Sequence, residues 1–289
     1  MSSLRKNHKG FTLVEMIMVI VITGIVGGMV AMFLKAPIQQ YMDVARRAEL
    51  TDIADTAVRR ISRDVRMAVP NSVRVTGCGG TPCFEFLPTK DGGRYRSAGP
   101  GDVLDFDGVD VSFDLIGTAA VAVSDVVVIG STQSSSIAYD KTQAGRLREV
   151  TAVSGVAPAV TGVTLDAGFP SPAEVEAHRF AVVDGGPVTY ACIVPGGGGA
   201  CSVSAGGDGT CQLVRYSGYG INSVQVLPAT ANPPILADKV SACQIEYEIP
   251  ATPSSAVFPR FGLLVVRLTL TSGGESVSLY NETHVINPP

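Results

Sequence analysis

One isolated carboxylate near the N-terminus is the residue most able to do chemistry in this chain. Glu15 is the only charged side chain between Lys9 and Lys35, and the 24 residues from 11 to 34 are otherwise apolar or small. About 20 such residues suffice for a helix to cross the roughly 30 Å of bilayer hydrocarbon. A carboxylate at the centre of such a helix costs about 2.5–3.5 kcal/mol, and less near the interface. The sequence therefore predicts a cationic partner for Glu15.

The charges before this segment predict its orientation. Arg5, Lys6 and Lys9 all precede it, so the positive-inside rule keeps the N-terminus in the cytoplasm and exports everything after Leu34. An ordinary secretory signal has an apolar stretch of about 7–15 residues followed by a small-residue cleavage site. Residues 34–37 offer no such site, and a plain single-pass anchor stays open as the simpler alternative.

Six cysteines follow on the exported side, where an oxidising compartment lets disulfides persist. Four glycine, threonine and proline residues separate Cys78 from Cys83, and a glycine-rich stretch separates Cys201 from Cys211. The last four cysteines, which include Cys192 and Cys243, allow three pairings. We favour Cys78–Cys83, Cys201–Cys211 and, by elimination, Cys192–Cys243. A zinc site would need a second short-spaced pair of ligands, which is missing, so we expect no metal here.

Acidic residues between 102 and 110 are the only other candidate ligands. Asp105, Asp107 and Asp110, with Asp102 before them, could supply oxygen atoms to calcium, although the spacing of an EF-hand loop and its terminal Glu are missing. Asp and Gly are also ordinary turn residues, which is the reading we favour. Catalytic motifs for a serine hydrolase, a zinc protease or a phosphate loop are absent, so we expect neither an enzyme nor a cofactor.

Composition and charge describe an exported globular protein. The chain has 289 residues, of which 46% are hydrophobic. Without Arg5, Lys6 and Lys9 it has 19 basic and 26 acidic side chains, a net charge of −7. Nucleic-acid binding needs clustered Lys and Arg, so this balance argues against such a partner.

A long helix followed by β structure is predicted to position these residues. Apolar residues recur every three to five positions from Ile38 to Ala68, and Val69-Pro70 ends the pattern. The helix from about Thr12 to Ala68 would thus extend beyond the membrane, with a kink or a locally melted stretch at residues 24–37, around Pro37. Twelve short runs are predicted as strands: 73–75, 84–87, 103–106, 109–113, 126–129, 180–183, 189–194, 213–216, 223–227, 243–249, 263–271 and 276–280. We expect a mobile, glycine-rich surface loop near 195–210.

The segment Gly10-Phe11-Thr12-Leu13-Val14-Glu15 resembles the N-terminal signal of type IV prepilins and of type II secretion pseudopilins. The resemblance implies that a prepilin peptidase cleaves between Gly10 and Phe11 and that the new amine of Phe11 is N-methylated. It also implies that Glu15 pairs with the amine of a neighbouring subunit during assembly. The implied fold is α+β and pilin-like, with a long N-terminal helical spine packed on an antiparallel β-sheet head.

Further stretches narrow the resemblance to the minor prepilins of the mannose-sensitive haemagglutinin (MSHA) pilus and, more distantly, to the J family of pseudopilins. They are residues 41–50, 59–66, 70–74, 190–192, 213–220 and 279–287, whereas the Cys201–Cys211 insertion looks additional.

The resemblance divides the chain into a cleaved leader (1–10), a membrane half of the helix (11–34), an exported half (35–69) and a β-rich head (70–289). The implied role is a minor pilin that primes or caps a filament for attachment or motility. Its implied partners are other major and minor pilins, prepilin peptidase, the inner-membrane assembly platform and the membrane. The implied location is the bacterial inner membrane and then the surface pilus. A type II secretion pseudopilin, or an adhesive tip subunit that binds through the loop near Cys201, are the alternatives.

Overall fold

A computed structural model describes residues 10–75, 78–130, 138–142, 145–156, 158–171, 177–229, 232–248 and 261–287. The chain divides into two compact units, Met1–Glu49 and Leu50–Pro289. In the part of the chain that the structure describes, the long helix α1 is followed by twelve strands, which confirms the α+β class. Helix α1 spans Leu13–Arg66, within two residues of its predicted ends.

In the second unit, the last turns of α1 pack on an antiparallel sheet. The sheet has six strands in the order β1-β8-β9-β10-β11-β12. They are β1 (Cys83–Phe86), β8 (Val188–Ile193), β9 (Cys211–Tyr216), β10 (Ile235–Glu248), β11 (Phe261–Ser272) and β12 (Glu275–Ile286). Leu50, Ala54, Ala57, Ile61 and Val65 recur at helical spacing and are buried against apolar side chains of this sheet. The sheet and the packing of the helix on it are therefore those of the predicted head.

A second β structure is inserted between β1 and β8. Six strands close into a barrel in the order β2-β3-β6-β5-β4-β7. They are β2 (Thr89–Tyr95), β3 (Ser112–Ala119), β4 (Val126–Val128), β5 (Leu147–Val156), β6 (Ala159–Leu165) and β7 (Arg179–Val183). The barrel has a core of its own, which includes Tyr95, Phe113, Val127, Val163 and Phe180. The head is thus built from two β modules, whereas the sequence predicted a single sheet.

Several strand predictions are wrong at the level of individual runs. Residues 103–106 and 223–227 are not strands, residues 73–75 form only one bridge, from Arg74 to Glu85, and the run at 109–113 begins its strand at Ser112. In 223–227 the buried side chain is Gln225, while Val224 and Val226 are exposed, so the apolar residues of the alternation face outward. The predicted strand end at residue 249 lies outside the described residues.

Strands β2, β5, β6 and the first half of β10 were not predicted. Strand β2 contains Gly92 and Gly93, and glycine in a sequence normally argues against a strand. A Cβ on Gly92 would lie 2.9 Å from the carbonyl oxygen of Phe180, and one on Gly93 would lie 2.8 Å from the Phe180 ring. The two glycines therefore permit β2 and β7 to approach each other closely. A local sequence pattern does not predict such an approach.

Candidate functional site

The Gly10-Phe11 peptide bond lies just outside the helix. Residues 10–12 have no regular secondary structure, and the side chain of Phe11 is 77% exposed. The backbone N–H of Glu15 donates to Oγ1 of Thr12 at 3.3 Å, so Thr12 caps the helix that begins at Leu13. Thr12 and Glu15 have the spacing of a capping box. The helix start leaves the bond before Phe11 accessible to a protease.

Glu15 stands in the first turn of α1, where an acidic side chain interacts favourably with the positive end of the helix dipole. Its apolar neighbours Val14 and Met16 are exposed. Among the residues that the structure describes, none forms an ion pair with the Glu15 carboxylate. The cationic partner of Glu15 therefore stays a prediction.

The apolar half of α1 has no packing partner among the described residues 10–49 of its own unit. It is the one described helix that is long and apolar enough to cross a membrane, and its most apolar 18-residue window is fully unburied. Cβ atoms added at Gly24, Gly27 and Gly28 would meet nothing within 4 Å. Thr23 donates its hydroxyl to the Val19 carbonyl at 2.7 Å, which satisfies that polar group inside the helix. The segment thus fits an apolar environment.

Helix α1 is continuous through residues 24–37, where the sequence predicts a kink or a locally melted stretch. Residues 24–37 are all helical, so the structure has no locally melted stretch in that range. Pro37 lies inside the helix. The kink that Pro37 predicts stays a prediction.

In the second unit, the carboxylate of Asp64 on α1 accepts hydrogen bonds from two strands of the sheet. Oδ2 of Asp64 accepts the hydroxyl of Tyr190 at 2.6 Å and Nε of Arg215 at 3.2 Å, while Oδ1 lies 3.3 Å from Nε of Arg60. Burial, followed by the hydrogen bond with Asp64, raises the pKa of the Tyr190 phenol well above its usual range. The helical pattern of residues 38–68 does not reveal the contacts of Asp64 with β8 and β9. The spacing of Asp64 relative to the core positions Ile61 and Val65 was the available signal.

Two further contacts join the helix region to the last strand. The hydroxyl of Ser62 donates to Oδ1 of Asn281 at 2.9 Å. The backbone N–H of Asn71 donates to Oδ1 of Asn287 at 2.8 Å, and Nδ2 of Asn287 donates to the Tyr247 hydroxyl at 3.1 Å. Ser62 near the end of α1 and Asn71 just after it are therefore both hydrogen-bonded to residues in or next to β12.

Arg74 connects the sheet to the barrel region. Its Nη2 lies 2.8 Å from Oε1 of Glu85, and both side chains are buried. The guanidinium stacks 3.6 Å from the ring centre of Tyr139 and donates to the carbonyl oxygens of Asn222 and Ser223. Burial raises the pKa of Glu85, an effect that Arg74 partly offsets. Because each charge is buried with its partner, loss of either one would leave an uncompensated charge.

All six cysteines are paired. The disulfides are Cys78–Cys83, Cys192–Cys243 and Cys201–Cys211, with Cα–Cα distances of 6.3, 6.4 and 5.3 Å. These are the pairings that we favoured among the alternatives. Cys192–Cys243 joins β8 to β10 and therefore links strands that are 51 residues apart.

The glycine-rich segment 201–210 is held against the sheet rather than projecting freely. Its ends are joined by Cys201–Cys211, and the backbone N–H of Gly209 donates to the Thr271 carbonyl at 2.9 Å. The N–H of Gly273 donates to Oδ1 of Asp208 at 2.8 Å. These bonds fasten residues 208 and 209 to the β11–β12 hairpin. The mobility of the loop near 195–210 stays a prediction.

The acidic turn at 105–110 uses its carboxylates locally. Oδ1 of Asp107 accepts the N–H groups of Val109 and Asp110, and Oδ2 of Asp110 accepts the N–H of Asp105. These bonds lower the pKa of Asp107. Across the described residues no three His, Cys, Asp or Glu side chains gather closely enough to hold a metal ion. The hydrogen bonds of Asp107 and Asp110 are those of ordinary turns. Whether the turn binds calcium stays a prediction.

Comparison with known proteins bears on the N-terminus alone. Residues 5–31 match the family model described as the prokaryotic N-terminal methylation motif. No curated protein and no solved structure matches the chain significantly. Together with the apolar N-terminal helix and the antiparallel head, the motif supports a type IV pilin or pseudopilin class. It implies processing by prepilin peptidase and assembly with pilins in the membrane.

Proposed function

We propose that this chain is a minor pilin of an MSHA-type type IV pilus, similar to MshO, which primes or caps the filament. Cleavage after Gly10 would free the amine of Phe11, and Glu15 would pair with the amine of an adjacent subunit. The chain would first span the inner membrane once, with its N-terminus in the cytoplasm and its head in the periplasm. The assembly platform would then transfer it into the filament beside major and other minor pilins.

The observation that carries this proposal is the closed barrel inserted between β1 and β8. A head that holds a second β module requires extra room around its spine. That room is hard to provide when every subunit of a filament carries the same head, and easy to provide at an end. The insertion therefore favours a low-copy subunit that initiates or terminates the filament.

The stretches that resemble MshO support the narrower assignment, because they contact one another in the fold. Stretches 59–66, 190–192 and 213–220 supply Asp64, Tyr190 and Arg215. Stretches 70–74 and 279–287 supply the hydrogen bond between Asn71 and Asn287. None of the quoted stretches lies between residues 89 and 183, where the barrel strands lie. The resemblance thus concerns the spine and the sheet on which it packs.

A type II secretion pseudopilin is the alternative, because the methylation motif is common to both classes. Deleting the gene and scoring both surface pili and secreted proteins separates the two roles. We expect loss of surface pili with normal secretion, restored by the wild-type gene and not by a Glu15→Ala copy. Normal piliation with impaired secretion would replace the proposal by the pseudopilin role.

A further inference from the structure

The outward face of strands β10, β11 and β12 is acidic. Leu264, Val266 and Leu268 point to the helix side of the sheet, where they are buried. Alternate residues therefore lie on the opposite face. They line a groove of about 200 Å³ formed by Gln244, Glu246, Glu248, Leu263, Val265, Arg267, Tyr280 and Glu282. Three carboxylates against one guanidinium leave this groove, which we call the acidic sheet face, with a net negative charge.

The pairing of the strands fixes the layout of these carboxylates. Val265 is paired with Glu246 on one side and with Glu282 on the other, so the two acids flank an apolar centre. Glu248 lies two residues after Glu246 on the same face of β10. The two are therefore about 6.6–6.8 Å apart along the strand. Glu246, Glu248 and Glu282 are all exposed.

The opposite side of the same unit carries arginines. Arg59, Arg63 and Arg66 are spaced by four and three residues, so they share one face of α1. That face is turned away from the buried positions Ile61 and Val65, and all three arginines are exposed. Arg59 pairs with Asp55 at 2.6 Å, whereas Arg63 and Arg66 have no ion-pair partner within the described ranges. We call these three residues the arginine row.

We propose that the acidic sheet face binds the arginine row of a second copy of this chain. Arg59 and Arg63 are separated by a rise of about 6 Å along the helix, close to the spacing of Glu246 and Glu248, and Arg66 lies about 4.5 Å further on. A guanidinium in the groove could contact two carboxylates while lying on Leu263 and Val265. Because the two surfaces are on opposite sides of one sheet-and-helix layer, a copy cannot satisfy its own charges.

The geometry makes this contact heterologous, since it joins two different surfaces. A single contact of this kind joins two neighbouring copies. The inference goes beyond the proposed function and does not depend on which filament the chain enters. It is compatible with low copy number, since a stack of two copies already contains one such contact.

Photo-cross-linking, combined with charge-reversal variants of the two surfaces, tests the proposal on the full chain in the membrane. Two differently tagged copies are co-expressed, one of them with a photoreactive amino acid in place of Gln244. We expect a product that contains both tags, with the cross-link mapping to residues 56–67 of the second copy. Glu246→Arg with Glu248→Arg on the first copy should reduce that product about tenfold, as should Arg63→Glu with Arg66→Glu on the second copy. Combining the two double variants should restore it.

A matched control changes the same amount of charge elsewhere. Asp102→Arg with Asp238→Arg alters two exposed acids outside the acidic sheet face and should leave the product unchanged. Formation of Cys192–Cys243 in every variant shows that the sheet has folded. The proposal is overturned by a cross-link to residues 249–260 of the same copy, by a cross-link only to other proteins, or by failure of the exchanged pair to restore the product.

Discussion

The hydroxyl of Tyr190 on β8 donates to the carboxylate of Asp64 on α1 at 2.6 Å. Tyr190 is fully buried, and Arg215 from β9 shares the same carboxylate oxygen. One acidic residue of the helix thus binds two neighbouring strands of the sheet. This contact fixes the rotation of the helix on the head, because only one face of the helix presents Asp64 beside the core residues Ile61 and Val65.

The stability of the head should decrease steeply above pH 10. Burial and Asp64 raise the pKa of folded Tyr190 above the ordinary value of 10.0, so the unfolded chain loses its proton first. The contribution of Tyr190 is therefore complete below pH 10 and is lost as the pH rises further. Urea unfolding of the full chain in detergent at pH 9–10.5 should show Tyr190→Phe with a shallower slope, by up to about 1.4 kcal/mol per pH unit.

The matched control for this titration is Tyr41→Phe, because Tyr41 is exposed on the helix of the first unit. We expect it to keep the wild-type slope. At neutral pH, Tyr190→Phe should lower the free energy of unfolding by about 1.5–3 kcal/mol, the worth of a hydrogen bond to a charged group. Equal slopes for wild type and Tyr190→Phe would show that the phenol is not held by Asp64.

The three disulfides should differ in their effect on stability. They close loops with sequence separations of 51, 10 and 5 residues. The chain-entropy model gives about 4 kcal/mol for Cys192–Cys243, about 3 for Cys201–Cys211 and about 2 for Cys78–Cys83. Paired Cys→Ser variants, compared by denaturant unfolding under oxidising conditions, should follow that order. A larger loss for Cys78–Cys83 than for Cys192–Cys243 would contradict it.

Glu15→Ala should leave the leader cleavage intact and prevent incorporation into the filament. The carboxylate is exposed and has no partner among the described residues, so its removal should not affect the head. The measurement compares the amount of mature chain in sheared pili with that in membranes. Glu49→Ala, which removes another exposed helix acid, is the control. Normal recovery of Glu15→Ala in the pilus fraction would remove Glu15 from assembly.

Deletion of the barrel should not prevent incorporation of the chain into pili. Phe86 of β1 pairs with Val188 of β8, so residues 87–187 can be replaced by a two-residue turn that closes these strands as a hairpin. We expect the shortened chain to be processed, to form Cys192–Cys243 and to enter pili. If Cys192–Cys243 forms and the chain stays out of pili, the barrel takes part in assembly instead.

The sequence predicted those parts of the fold that depend on local patterns. The 3.6-residue period gave α1 to within two residues, and alternating apolar residues gave β8, β9 and β11. Alternation failed at residues 223–227, because it does not say which of its two faces is buried. It also missed the barrel, whose closure depends on pairing of β7 with both β2 and β4.

The N-terminal features could be predicted because the residues that define them are close together in the sequence. Gly10, Phe11 and Glu15 lie within six residues, and no tertiary contact is needed to recognise them. The contacts of Asp64 with Tyr190 and Arg215 could not be predicted in this way, because they join residues 126 and 151 positions apart. The Arg74–Glu85 pair was missed because nothing local distinguishes buried charges from exposed ones.

The central claim is that this chain is a processed prepilin-type subunit, and mass spectrometry of its mature N-terminus tests it most directly. The chain is purified from membranes of cells that contain prepilin peptidase. We predict a mature chain that begins at Phe11 and carries one added methyl group, and an uncleaved chain for a Gly10→Val variant. A wild-type chain that still begins at Met1, or one cut after residue 34, would contradict the account.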